Sequence, residues 1–327
     1  MKVTVLAGGV GGARFLLGLR GLLAAEPGDH EITAIVNTGD DAWVAGLRVT
    51  PDLDTIMYML AGVNDTVRGW GRAGETERVS AELTAWGVGW PWFTLGDLDL
   101  GAHIARTSWL REGVPLSEVV TRLTSRWPIG ARLLPSTDDD VETWVEVDDP
   151  ATGIRSMHFQ EWWVKHRSGI PALRFEQRGA EGAAPAAGVL DAIRDADVLV
   201  IGPSNPVVSI GTILGIPGIA GAIRDTAAPV VGVSPIIGGA VVRGMADACL
   251  TTIGVETAAD AVALHYGSRA GGGLLDGWLV DTVDAGLVPG IEAAGVTARA
   301  VPLWLRDPAT SAALASEVLS LAADVRR

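Results

Sequence analysis

The segment Val3-Thr4-Val5-Leu6-Ala7-Gly8-Gly9-Val10-Gly11-Gly12-Ala13-Arg14-Phe15 decides the fold. Its apolar opening shows no alternation, which suits a strand covered on both faces. The glycines end that strand, and beyond Ala13 the apolar residues Phe15, Leu16, Leu19, Leu22 and Leu23 recur with helical spacing. Ile32-Thr33-Ala34-Ile35-Val36 supplies the next strand. Strand, glycine turn, helix and strand in that order predict a parallel sheet with right-handed crossovers.

Working outward, the buried-strand pattern returns at residues 197–201 and 229–233, with shorter runs at 278–280 and 298–301 as candidate edge strands. Residues 309–325 have the period of a closing amphipathic helix. Between these blocks the periodicity turns helical after Asp54. A hairpin is expected around Trp144-Val145-Glu146-Val147 and Met157-His158-Phe159, across the turn signals Asp149-Pro150 and Gly153. The expectation is therefore a single α/β domain: a Rossmann-like, mostly parallel sheet flanked by helices, built from about 1–55 and 190–327. A mainly helical subdomain with a hairpin is inserted over about 56–175.

The 327 residues suffice for a large core, and 48% hydrophobic against 20% charged residues is ordinary for a folded globular chain. A net charge of −14 argues against nucleic acid as a partner, because binding there depends on clustered cations. Apolar runs such as Val198-Leu199-Val200-Ile201 are too short to span a bilayer, and no leader pattern precedes Lys2, so a cytoplasmic protein without a membrane partner is expected. The one cysteine, Cys249, excludes an internal disulfide framework and a cysteine metal cluster. With lysine confined to Lys2 and Lys165, an anionic substrate must be met by arginine, amide dipoles or a metal.

Two further clusters follow strand exits: Asn37-Thr38-Gly39-Asp40-Asp41 and Pro51-Asp52-Leu53-Asp54-Thr55. Any one of these aspartates suits a helix N-cap. Together with the bare amides of Gly8, Gly9, Gly11 and Gly12 they suit a Mg²⁺-bridged phosphate ester, since Mg²⁺ takes one or two carboxylates plus phosphate oxygens. The expected ligands are Asp41 and Asp54, with Asp54 also orienting an attacking hydroxyl and Arg14 supplying fixed positive charge beside a helix N-terminus near Ala13. Neither the dinucleotide fingerprint nor the Walker pattern is present, because Arg14 stands where the former needs glycine and no Gly-Lys-Ser/Thr occurs.

Other segments carry weaker signals. Leu95-Gly96-Asp97-Leu98-Asp99 with His103 suits a helix start, and the acidic Ser136-Thr137-Asp138-Asp139-Asp140 a solvated loop. His158-Phe159-Gln160-Glu161-Trp162-Trp163 offers paired indoles as core contacts or as a flat stacking surface. Gly202-Pro203-Ser204-Asn205-Pro206 and Ser234-Pro235-Ile236-Ile237-Gly238 lie just past strand ends, the edge where open parallel sheets bind ligands.

In order and spacing these segments resemble the 2-phospho-L-lactate transferase family of coenzyme F420 biosynthesis, across nearly the whole chain. Gly11-Gly12-Ala13-Arg14-Phe15, the tryptophan-rich middle and Arg243-Gly244-Met245-Ala246-Asp247-Ala248-Cys249 look like its actinobacterial branch, which is taken to transfer phosphoenolpyruvyl rather than phospholactyl. The resemblance implies that the terminal ribityl hydroxyl of the deazaflavin Fo (7,8-didemethyl-8-hydroxy-5-deazariboflavin) attacks a guanosine diphosphate-linked three-carbon acid. GMP leaves and dehydro coenzyme F420-0 forms. It further implies Mg²⁺ on Asp41 and Asp54, and Arg14 assisting GMP departure. The amides of Gly8, Gly9, Gly11 and Gly12 would cradle the diphosphate, and Thr38 is expected among the binding residues. Fo is expected near Asp54, Gly96, Asp97 and Trp162, guanosine against Ser204, Asn205 and Ser234, and the assembly is expected to be a homodimer. The alternative is a non-catalytic nucleotide-sugar-binding regulator of the same superfamily.

Overall fold

A computed structural model describes residues 1–326. Seven strands form the main sheet: β1 (Lys2–Ala7), β2 (Glu31–Val36), β3 (Arg132–Pro135), β4 (Val198–Ile201), β5 (Val230–Val233), β6 (Gly277–Val280) and β7 (Thr297–Ala300). Their spatial order is β7-β6-β5-β4-β1-β2-β3, and every neighbouring pair is parallel. This is the doubly wound arrangement, in which the winding direction reverses between β1 and β4 and opens a crevice at the carboxyl ends of the strands. The seven-stranded sheet carries the α/β class anticipated from the first βαβ unit.

The continuous apolar strands are buried because helices cover both faces of the sheet. On one face Val3, Val5, Phe15, Leu16, Leu19 and Val318 belong to one core cluster; on the other, Leu6, Ile35, Leu199, Ile201 and Trp278 belong to a second. Removing a side chain such as Phe15 from water contributes roughly 2–3 kcal/mol, and Phe15 has no exposed surface. Helix Gly9–Ala25 lies directly on the closing helix Pro308–Asp324. The two approach so closely that a Cβ at Gly18 would fall 2.4 Å from Ser311 Cβ. The closing helix starts from a capping box in which Asp307 accepts from the Thr310 amide at 2.7 Å.

The middle of the chain departs from expectation in two respects. The insertion is not continuous over 56–175, because β3 returns from it to pair with β2 and forms one edge of the main sheet. The expected hairpin, Glu142–Asp149 with Gly153–His158, gains a third antiparallel strand, Ala172–Arg178. That strand is largely exposed and polar, Leu173-Arg174-Phe175-Glu176-Gln177, so its apolar signal is weak. The helices Pro51–Ala61, Arg78–Ala85, Asp97–Arg111 and Leu116–Thr124 fill the rest. No single helix among the described residues is long and apolar enough to cross a membrane.

Candidate active site

A cleft of about 1080 Å³ opens at the reversal of strand order. It is lined by residues that follow four strands: Gly8–Gly11 after β1, Asp40 after β2, Pro203–Asn205 after β4, and Ser234–Pro235 after β5. Asp52, Asp54, Thr55 and Tyr58 on helix Pro51–Ala61 form one bank, with Asp99 and His103 on helix Asp97–Arg111 behind them.

The glycine turn is tighter than its sequence suggests. The first helix begins at Gly9 rather than near Ala13, so Gly9, Val10 and Gly11 are themselves the first turn, and their amides have no partner within the helix. Gly9 has φ +60°, and a Cβ on Gly11 would stand 2.4 Å from the Pro203 carbonyl oxygen. A Cβ on Gly8 would meet Asp52 Oδ2 at 2.5 Å. Glycine is required here because two backbone segments and a carboxylate converge on the helix N-terminus, where the Gly9 amide donates to Asp52 and the amides of Val10 and Gly11 remain for an anion.

The expected acids do converge. Asp40, Asp41, Asp52, Asp54 and Asp99 are all buried, yet among the described residues only Arg48 and Arg106 supply buried guanidinium charge beside them. Arg106 Nη2 pairs with Asp54 Oδ1, and Thr50 Oγ1 donates to Asp54 Oδ2 at 3.2 Å. Asn37 Nδ2 donates both to Asp40 Oδ1 at 3.0 Å and to Asp52 Oδ2 at 2.9 Å. Burial, reinforced by the nearby Asp52 charge, holds the Asp40 carboxyl well above its ordinary range. Burial does the same to Asp41, against the opposing pull of Arg48 and Arg106. Asp52 is pushed up to about 6 by burial, less the effect of its bonds from Asn37 and the Gly9 amide. Burial alone would raise Asp99 too, but the bond and charge of His103, the Tyr58 hydroxyl at 2.7 Å and Arg106 bring it below the usual carboxylate value.

A divalent cation fits this donor set. Asp41 Oδ1 is buried without a hydrogen-bond partner, and acids outnumber cations around it. Asp41 itself stands behind the cleft wall, with Arg48 Nη2 3.5 Å from its Oδ2, whereas Asp54 faces the cleft. Asp54, Asp99 and His103 also bring one ligand atom each within 4.8 Å of one another. Arg14, Arg167 and Arg243, which line the same cleft, have no carboxylate within 4.0 Å among the described residues, in a protein of net charge −14. They are the groups left over for an anionic ligand.

Several expected contacts are reassigned. Trp162 is fully buried among Phe159, Phe175 and Val145, and its Nε1 donates to the Ile170 carbonyl, so it presents no stacking face; its neighbour Trp163 lines the cleft instead. Ser204 does not present a free hydroxyl to a nucleoside: its Oγ accepts from the Gly8 amide and donates to the Gly8 carbonyl, locking the glycine turn to β4. Asn205 caps the following helical turn through the amides of Val207 and Val208, and its Nδ2 points to sulfur in Met245 and Cys249. Ser234 closes a local turn on Ile236. Thr38 is buried against Ser136, and Gly12 packs on Ala7, both off the cleft surface. Gly96 and Asp97 lie outside the cleft lining and fasten a loop: Asp97 accepts from the Thr76 amide and hydroxyl, both at 2.8 Å. Cys249, pushed up to about 12 by burial, is a packed thiol and no nucleophile.

Arg48, Arg106 and Tyr58 carried no expected role, and Asn37 was marked only as part of the 37–41 cluster. Helical spacing carried part of the signal, since Asp54 and Tyr58 are four apart, as are Asp99 and His103, with Arg106 three further on. Nothing local marked Arg48, which reaches Asp41 from the small hairpin Ala42–Val44 and Leu47–Val49.

Fold and site together define a doubly wound α/β enzyme with an anion cradle and a buried acid cluster at its switch point. The chain belongs to the 2-phospho-L-lactate transferase CofD family, whose profile matches residues 3–289. It is 56% identical over its full length to the full-length phosphoenolpyruvate transferase of Streptomyces griseus subsp. griseus. It is also 53% identical to the enzyme of that name from Mycolicibacterium smegmatis, covering 98% of this chain and 99% of that one. A crystal structure of a UPF0052 family member from Bacillus halodurans shares the fold, with TM-score 0.64 and 18% identity over 97% of this chain and 98% of that one. The protein is thus a transferase of the CofD family whose relatives carry the phosphoenolpyruvate transferase name.

Proposed function

We propose that this enzyme transfers a phosphoenolpyruvyl group from a guanosine diphosphate conjugate to the terminal hydroxyl of Fo, releasing GMP and yielding dehydro coenzyme F420-0. The observation that carries this reading is the buried acid cluster set at one cleft with unpaired arginines and a glycine-built helix N-terminus. Phosphoryl-type transfer asks the protein chiefly for in-line placement and for charge neutralisation on bridging and leaving oxygens, and these residues are of that kind. The name shared by the actinobacterial relatives favours the enolpyruvyl donor over the lactyl one.

In this reading the amides of Val10 and Gly11 hold the diphosphate at the positive end of the helix dipole, beside the Gly9 amide that donates to Asp52. Arg14, whose Nη1 is steadied by the Leu305 carbonyl at 3.0 Å, neutralises the departing GMP oxygens. Asp54, fixed by Arg106 and Thr50, accepts the hydrogen bond of the attacking ribityl hydroxyl and aims its lone pair at phosphorus. Mg²⁺ would be held by Asp54 and by Asp41, whose Oδ1 has no other partner; when bound it supplies Lewis-acid neutralisation of the diphosphate.

The test is mass spectrometry of the product formed from Fo with each of the two guanylated donors. Addition of an enolpyruvyl phosphate to Fo with stoichiometric GMP is expected. Formation of a lactyl product alone would overturn the donor assignment, and no product from either donor would overturn the reaction.

A further inference from the structure

We infer that Trp70 is the stacking platform for the flat ring of the acceptor, and that Glu75 is the positioning residue that holds it over the cleft. This rests on the reading that Fo is the acceptor. Trp70 sits between Gly69 (φ +78°) and Gly71 (φ +69°), lines the cleft and is 41% exposed. The Arg68 guanidinium lies over its ring at 4.5 Å from the centroid. A cation on a ring and an open cleft beside it leave the indole a fixed, partly desolvated surface for a second planar group.

The loop that carries Trp70 has no apolar anchor, for no residue between 61 and 80 is buried. Polar contacts hold it instead. The Glu75 side chain has no exposed surface: its Oε1 pairs with Arg68 Nη2 at 2.6 Å and accepts from the Arg72 amide at 3.1 Å. Its Oε2 accepts from the Asp99 amide at 3.2 Å. Gly96 makes room for this carboxylate, since a Cβ there would lie 1.9 Å from Glu75 Cδ. Asp97 adds the second fastening, through Thr76. Gly96 and Asp97 therefore clasp the loop from outside the cleft lining.

The clasp closes on the first turn of the helix that also carries Asp99, His103 and Arg106 toward Asp54. One rigid element thus sets both the indole and the carboxylate at which the acceptor hydroxyl is activated. The acceptor is the fitting occupant because the loop is fastened beside the helix of Asp54: Arg72 lies over the Tyr58 ring at 5.8 Å from its centroid, and Asp99, whose amide donates to Glu75, accepts from the Tyr58 hydroxyl.

The experiment is a fluorescence titration of Fo, and separately of GMP, into the wild-type chain, Trp70→Ala and Glu75→Gln, followed by steady-state kinetics and hydrogen exchange. Stacking on an aromatic side chain at the usual strength predicts Fo affinity lower by about 5- to 100-fold in Trp70→Ala with GMP affinity unchanged. Glu75→Gln is expected to raise KM for Fo more than it lowers kcat, and to speed exchange over residues 64–76. Trp70→Ala binding Fo as tightly as wild type, or losing GMP affinity instead, overturns the platform. Unchanged exchange and an unchanged KM in Glu75→Gln overturn the clasp. Wild-type protein indifferent to Fo refutes the acceptor itself, and so is distinguishable from failure of the Trp70 assignment.

Discussion

Asp52 gives the sharpest test of the buried acid cluster. Its carboxyl is pushed up to about 6 in the folded protein from the 3.8 of a free aspartate, chiefly because burial penalises the anion. For an acid raised on folding, the native state holds its proton more tightly than the unfolded chain. Stability is therefore complete below the unfolded value, falls as pH rises toward 6 and is flat above it. At 1.36 kcal/mol per pH unit, the part of that fall lying between pH 4.5 and 7.5 is about 2 kcal/mol. Asp52→Asn keeps the shape and retains an acceptor for Asn37 Nδ2 but has no proton to lose. Urea unfolding followed by tryptophan fluorescence, in EDTA, should show the variant gaining about 2 kcal/mol on wild type between those two pH values. If the difference between the two proteins is the same at both, Asp52 is not held protonated by its surroundings and the electrostatic account of the site is wrong.

The remaining predictions concern the same cluster and its frame. Arg106→Met leaves Asp54 buried and unpaired, so unfolding free energy should drop by about 3–5 kcal/mol, with Arg106→Lys recovering part of it. Mg²⁺ should raise the melting temperature of wild type, with EDTA reversing the shift, and Asp54→Asn should abolish that rise; a full Mg²⁺ shift in the variant would remove Asp54 from the metal site. Gly11→Ala drives a Cβ against the Pro203 carbonyl and should lower kcat/KM for the guanylated donor by tenfold or more, on the order of 1.4 kcal/mol. Gly21→Ala on the same helix meets nothing within 4 Å and should stabilise by about 0.5–1 kcal/mol in the same denaturation assay.

How far the site was legible depended on how local its causes were. The glycine turn, the two aspartate clusters and the strand exits were visible because each is a contiguous segment with its own chemistry, and the fold brought them to one cleft. The roles of single polar side chains were not visible. Ser204, Asn205 and Ser234 stand at the expected edge, yet their hydrogen-bonding atoms are occupied by backbone groups and, for Asn205 Nδ2, by the sulfurs of Met245 and Cys249, and only the tertiary path of the chain decides this. Trp162 and Trp163 are adjacent and chemically identical, but one is in the core and the other in the cleft, because a short π-helical turn points successive side chains in different directions.

The sequence by itself determined the α/β class, the parallel sheet and the place of the crevice, since uninterrupted apolar runs must be covered on both faces and glycine must stand where backbone, helix end and ligand meet. Only the tertiary structure decided which acids are neutralised, by Arg48 from a hairpin and Arg106 from a distant helix, and that β3 rejoins the sheet from within the insertion. Electrostatic pairing and strand order depend on distances between segments far apart in the chain, and no local periodicity encodes those distances.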